Sequence, residues 1–132
     1  KMDEIFIPIK DEQKVKLMNP LVWAYVGDCV YELYIRTFLI NTTKMKVHEL
    51  HVKASTYVRA SSQAKILKNI ENELTEEEKD IVRRARNTQN HHLPKNANPA
   101  DYMYATAFEG LIGYLYLTKN FKRLKEILQK SL

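Results

Sequence analysis

Apolar residues recur three and four positions apart along most of the chain, and strict alternation is nowhere sustained, so the pattern predicts helices rather than strands. The longest such run is 19–40, NPLVWAYVGDCVYELYIRTFLI. Asn19 suits a helix cap and Pro20 the first helical position, which marks the start clearly. Leu21, Val22, Trp23, Tyr25, Val26, Val30, Leu33, Tyr34, Ile35 and Phe38 cover nearly the whole circumference, and the expectation is a helix buried on every side. A second stretch of this kind, 98–118, opens again on an Asn-Pro pair, Asn98–Pro99. Between the two, helices are expected over about 46–57, with Val47, Leu50, Val52 and Ala54 facing inward, and over about 61–70. Thr75 and Glu78 make a capping box that opens a fourth helix, turning Ile81 and Val82 inward and Lys79, Arg83, Arg84 and Arg86 outward. Residues 1–18 read as a loose lead-in with one short turn, 41–44 as a polar connection, and 121–132 as an amphipathic helix packing on Leu124, Ile127 and Leu128. The expected fold is all-α, a helical bundle around two central buried helices, in a single domain over 1–132.

In each central helix one acid stands among apolar residues, Asp28 in the first and Glu109 in the second. An ionised carboxylate in apolar surroundings is costly unless a cation or hydrogen bonds compensate it. If the helices cross at these points the two carboxylates converge, and a carboxylate pair with water is one way proteins hold magnesium or manganese. The alternative is that each acid pairs separately with an arginine, such as Arg36 or Arg84. Glu32 and Arg36 follow Asp28 at four-residue steps, placing all three on one face. Gly27, Ala105, Ala107, Gly110 and Gly113 make the helices thin near the acids, which allows close approach and serves tight packing equally.

Charge and the remaining polar residues alter the picture only a little. Lysine and arginine number 21 against 16 acids, a balance of +5 that leans towards a polyanionic partner such as nucleic acid. Arg83, Arg84 and Arg86 with Lys95 form the best basic patch. The longest irregular stretch, 87–98, carries Asn87, His91, His92, Lys95 and Asn96, which fit either phosphate contacts or a solvated loop. His48 and His51 have no matching ligand pair and suit surface or packing roles. The single cysteine, Cys29, excludes a disulfide framework and reads as a small buried hydrophobe, with a reducing cytoplasm as the default setting. The start, KMDEIFIPIK, has no signal-peptide core, and the apolar run 102–118 is interrupted by Glu109, so a buried helix is expected there and no membrane span.

Two segments resemble those of a known family. Tyr25-Val26-Gly27-Asp28-Cys29-Val30 is similar to the phenylalanine-leucine-glycine-aspartate-serine-valine core of the ribonuclease III signature helix. Ala107-Phe108-Glu109-Gly110-Leu111-Ile112-Gly113, with Tyr116-Leu117, resembles the second family segment, in which a phenylalanine-glutamate-alanine-leucine-isoleucine-glycine run carries a catalytic glutamate. The order is right, each segment is centred on an acid already singled out, and the likeness spans about 19–132. Tyr25–Glu32, His51–Ala64, and Arg86-Asn87 followed by Lys95-Asn96-Ala97 are similar to the bacterial branch that consists of the catalytic domain alone.

The resemblance implies a homodimeric endoribonuclease that uses Mg²⁺, with Mn²⁺ as a substitute, to cut double-stranded RNA, with precursor 23S ribosomal RNA as the expected substrate. It carries Asp28 and Glu109 over as catalytic metal ligands. Larger members have a glutamate where Ala24 stands and an aspartate where Thr106 stands, so waters, phosphate oxygens, the Thr106 hydroxyl or Glu32 would complete the coordination. Asp101 matches a place where those enzymes often hold a further acid, and first-turn helix stabilisation accounts for it equally. Arg83, Arg84, Arg86, Asn87, His91, His92, Lys95 and Asn96 are the expected RNA contacts, with no double-stranded-RNA-binding domain in the remaining residues. Hydrolysis would leave a 3′-hydroxyl and a 5′-phosphate. A catalytically silent, dimeric RNA-binding or ribosome-associated protein of the same fold is the competing expectation, with a helical protein-interaction module behind it.

Overall fold

The computed structural model describes residues 11–88 and 93–132, and within them the chain is helical with no strand. Asp11 accepts a hydrogen bond from Gln13 N at 2.8 Å and starts a short helix, α1 (Glu12–Lys16), the one turn expected in the lead-in. Asn19 caps the first long helix as its sequence promised, accepting from Leu21 N at 2.9 Å, and α2 runs over Pro20–Thr42. Two shorter helices follow, α3 (Val47–Val58) and α4 (Ala60–Ile70), separated by Arg59 in extended backbone. A 3₁₀ turn (Glu71–Glu73) leads to α5 (Glu76–Asn87), whose capping box is formed: Thr75 N donates to Glu78 Oε1 at 2.9 Å and Glu78 N to Thr75 Oγ1 at 3.1 Å. Asn98 caps α6 (Pro99–Leu117), and α7 (Phe121–Lys130) closes the fold.

The bundle is arranged around α6, which packs against α2, α4, α5 and α7. From Ala105 to Leu115 every residue of α6 except Glu109 is buried, as expected of a central helix. The core gathers Tyr31, Ile35 and Leu39 from α2 around Phe108, Leu111, Ile112 and Leu115 from α6 and Ile127 from α7. Trp23 packs edge-on to Tyr114 at 5.3 Å and donates to the Val15 carbonyl at 2.8 Å, which fastens α1 to the bundle. Arg123 on α7 grips the buried Glu78 with two bonds, at 2.8 and 2.9 Å, and the Glu73 carbonyl at 2.9 Å. No helix among the described residues is long and apolar enough to cross a membrane.

Helix α2 departs from expectation. Only Trp23, Ala24, Gly27, Tyr31, Ile35 and Leu39 are buried, one face rather than the full circumference. Val22, Tyr25, Leu33 and Ile40 are exposed, Tyr25 at 82%, and Cys29 among them is exposed instead of a buried hydrophobe. The cause is geometric, since a helix on the outside of a bundle can turn only about half of its surface to its neighbours. Val47 and Val52 of α3 are likewise exposed, and Leu50, Ala54, Tyr57 and Val58 carry that helix's inward face.

Candidate two-carboxylate active site

The site is built by two glycines. A β-carbon on Gly27 would lie 1.7 Å from the carbonyl oxygen of Glu109, and one on Gly113 would lie 1.8 Å from the carbonyl oxygen of Trp23. Helices α2 and α6 therefore touch backbone to backbone at this crossing, closer than any side chain would permit. Asp28 follows Gly27 on one helix and Glu109 stands one turn before Gly113 on the other, so the close crossing brings the two acids together.

The electrostatics record their proximity. Burial first, and then the hydrogen bond and charge of the Asp28 carboxylate, raise the Glu109 carboxyl from 4.5 to about 8, with a hydrogen bond from Gln63 opposing the rise. Asp28 lies on the exposed side and Glu109 is partly buried. Neither acid is in an ion pair among the described residues: Arg36 holds Glu32 at 3.3 Å, and Arg84 donates to the Lys16 carbonyl at 2.8 Å while lying over the Trp23 ring at 4.8 Å. The separate arginine pairings that the sequence left open are thus taken up elsewhere. Two carboxylates brought this close without a cationic side chain form a donor set that a divalent cation relieves. Magnesium, which needs one or two carboxylates and completes its shell with water and phosphate oxygens, suits such a pair.

The structure does not bring every expected residue to this point. Glu32 pairs with Arg36, and among the described residues no group of three or more His, Cys, Asp or Glu side chains is gathered that could hold a metal. Thr106 is buried one turn before Glu109 on α6. Asp101 lies in the first turn of α6, about 12 Å along the axis from Glu109, and stands apart from the site. His48 and His51 are exposed, in keeping with a surface role.

The basic residues divide into two groups. Arg84 was expected to point outward, yet its stacking on Trp23 makes it a clamp between α1, α2 and α5. Arg83 is exposed and paired with Asp80. Arg86 lies over the Tyr104 ring at 5.9 Å and Lys68 over the same ring at 4.9 Å. Asn87, Lys95 and Asn96 are exposed, while His91 and His92 lie outside the described residues.

Sequence reasoning missed Gln63. It is 1% exposed on α4 and its amide donates to Glu109 Oε2 at 3.3 Å and to the Val58 carbonyl at 2.9 Å. The one available signal was a break in pattern, an amide on the face that Ala64, Leu67 and Ile70 turn to the core.

Crossing helices bring one acid each to a shared point, in an all-helical domain with no strand among its described residues. The Ribonuclease III domain family matches residues 21–120, and the chain belongs to that family of endoribonucleases. It is 48% identical over 120 residues to Mini-ribonuclease 3 of Thermoanaerobacter, an alignment covering 91% of this chain and 84% of the relative. Mini-ribonuclease 3 of Symbiobacterium thermophilum is 47% identical over 114 residues, covering 86% of this chain and 88% of that one. A Fusobacterium nucleatum protein of known crystal structure shares the fold with a TM-score of 0.78 at 32% identity, over 87% of this chain and 92% of that chain.

Proposed function

We propose that this chain is a Mg²⁺-dependent endonuclease of double-stranded RNA that works as a homodimer and matures precursor 23S ribosomal RNA. The observation that carries the reading is the meeting of Asp28 and Glu109 at the Gly27–Gly113 crossing. These two acids would hold the cation, with Mn²⁺ able to stand in. When bound, the cation supplies Lewis acidity, offsetting charge on the scissile phosphate and easing loss of a proton from water. Asp28, on the open side, accepts substrate and cation from solvent. Glu109, partly buried and bonded to Gln63, holds its carboxylate in one place. Ala24 and Thr106 stand where larger relatives have acids, and solvent and phosphate oxygens take their share of the coordination. The products are a 5′-phosphate and a 3′-hydroxyl.

The exposed side of α2 supports a dimer. Val22, Tyr25, Cys29, Leu33 and Ile40 follow at helical spacing as an apolar stripe, an arrangement that a second copy would cover and that water does not favour. The stripe borders Asp28, so two sites would lie near one interface, one for each RNA strand. Duplex RNA is read through shape, 2′-hydroxyls and phosphates. Lys68, Arg86, Lys95 and Asn96 suit that kind of contact, with the domain over 19–132 supplying its own RNA surface.

The test is incubation with Mg²⁺ of a long RNA duplex, its separated strands, and a precursor 23S transcript. The reading expects cleavage of the duplex and of the paired precursor stem, with 5′-phosphate ends, and intact single strands. Binding without cleavage in both Mg²⁺ and Mn²⁺ would replace it with a silent RNA-binding role, and cleavage of other duplexes but not the precursor would remove the ribosomal substrate alone.

A further inference from the structure

Among the described residues, Gln63 is the one side chain from outside the two crossing helices that hydrogen-bonds to the acid pair. It comes from α4, directly after the corner at Arg59, and it is 1% exposed. One amide hydrogen goes to the Val58 carbonyl at 2.9 Å, a group left without a helical partner at the end of α3. The other goes to Glu109 Oε2 at 3.3 Å. The Val58 carbonyl can only accept, so turning the amide over would set oxygen against oxygen there, and the observed orientation is the one that satisfies it. The amide oxygen, buried, has no hydrogen-bond partner among the described residues, an uncommon state for a buried acceptor.

Packing does not call for this residue. The same face of α4 is made of Ala64, Leu67 and Ile70, and a methionine or leucine at position 63 would fill a similar volume without leaving a polar atom unpaired. An amide retained at that cost has a use at the carboxylate it touches. Glu109 has three side-chain torsions, and ordering them loses conformational entropy that a fixed donor supplies in advance of binding.

We infer that Gln63 is a positioning residue: anchored on the Val58 carbonyl, it fixes the Glu109 carboxylate in the orientation that receives the divalent cation, and its free amide oxygen stands ready to accept from a water or hydroxyl brought by cation or RNA. The inference rests on the Asp28–Glu109 reading above. Groups that orient metal-binding side chains typically change metal affinity or activity by about 10–100-fold when removed.

Gln63→Met and Gln63→Leu test it, with native protein beside them. Three quantities are read: Mn²⁺ binding to the protein without RNA, by electron paramagnetic resonance; kcat and KM for duplex cleavage across a Mg²⁺ series; and thermal unfolding. The expected result is a Tm at or above native, a KM for RNA within about twofold, kcat down by about 10–100-fold at limiting Mg²⁺ with partial recovery as Mg²⁺ is raised, and weaker Mn²⁺ binding. In a Glu109→Gln background the Mn²⁺ effect of Gln63→Met should vanish, because the contact acts through that carboxylate. Native Mn²⁺ affinity and native Mg²⁺ dependence in either folded variant would overturn the inference, as would loss of the fold in both, which would make Gln63 a pin of the α3–α4 corner. If native protein itself fails to cut duplex RNA, the functional reading falls, and the Mn²⁺ arm alone still decides whether Gln63 orients Glu109.

Discussion

The carbonyl oxygen of Glu109 occupies the space that a β-carbon on Gly27 would need, leaving 1.7 Å between them, so the backbones of α2 and α6 meet at the residue that carries one acid and beside the residue that carries the other. Gly113 makes the reciprocal contact with Trp23. Placement of the acid pair therefore depends on two hydrogen atoms standing where side chains normally begin.

Gly27→Ala and Gly113→Ala should each part the helices. In both cases the obstacle is backbone, which cannot rotate aside, and the cost should exceed about 2 kcal/mol. Urea unfolding at fixed protein concentration measures it. Cleavage should fall even where the variant stays folded, because the acids separate.

Glu109 makes stability depend on pH in the direction opposite to an ion-paired acid. Its folded value of about 8 lies above the ordinary 4.5, so the folded chain holds the proton more tightly than the unfolded chain. Below pH 4.5 the residue is neutral in both states and contributes nothing. As pH rises through the interval the unfolded state gains the advantage, and above pH 8 the full penalty is present. Glu109→Gln should therefore leave unfolding unchanged at pH 4 and stabilise the metal-free protein at pH 9 by roughly 1–3 kcal/mol. Added Mg²⁺ should narrow that gap by stabilising native protein more than the variant.

Arg123→Met should cost about 3 kcal/mol, since it leaves Glu78 charged, buried and without its two strongest bonds. Burial raises the Glu78 pKa, but the Arg123 and Thr75 hydrogen bonds outweigh it and hold the carboxyl below its usual value. The pair's stabilisation is thus complete above the unfolded value of 4.5 and is lost as pH falls through the folded one. Adding Glu78→Gln to Arg123→Met should recover part of the loss in a double-mutant cycle.

The arginines of α5 should separate by assay. Arg84→Ala should lower stability, by loss of the Trp23 stacking and the Lys16 carbonyl bond, with little effect on the salt dependence of RNA binding. Lys95→Ala, at an exposed position, should leave stability unchanged, weaken RNA binding, and reduce the slope of log affinity against log salt by about 1.

Much of this was legible in the sequence. Asn19-Pro20, Asn98-Pro99 and the Thr75–Glu78 box mark helix starts through chemistry local to a few residues, and they sit where expected. Asp28 and Glu109 stood out because each is an acid set among apolar residues in the middle of its helix. What the pattern could not say is which apolar face of α2 the protomer buries, because Tyr25 and Leu33 are as hydrophobic as Tyr31 and Ile35. Residue type alone does not say which apolar face of a helix turns to the core, and that is why Cys29 was misplaced. Arg84 was misread for a related reason, as its stem and guanidinium can cover an aromatic ring as readily as face water. Gln63 depends on a contact 46 residues distant in sequence, which no local spacing encodes.

Cleavage of a long RNA duplex in Mg²⁺ by native protein, Asp28→Asn and Glu109→Gln, compared at matched folding and dimerisation, is the most direct test of the two-carboxylate site. The account predicts that native protein cuts while both variants bind the duplex and leave it intact. Cleavage by either variant at the native rate would contradict it, showing that the acids joined at the Gly27–Gly113 crossing do not carry the reaction.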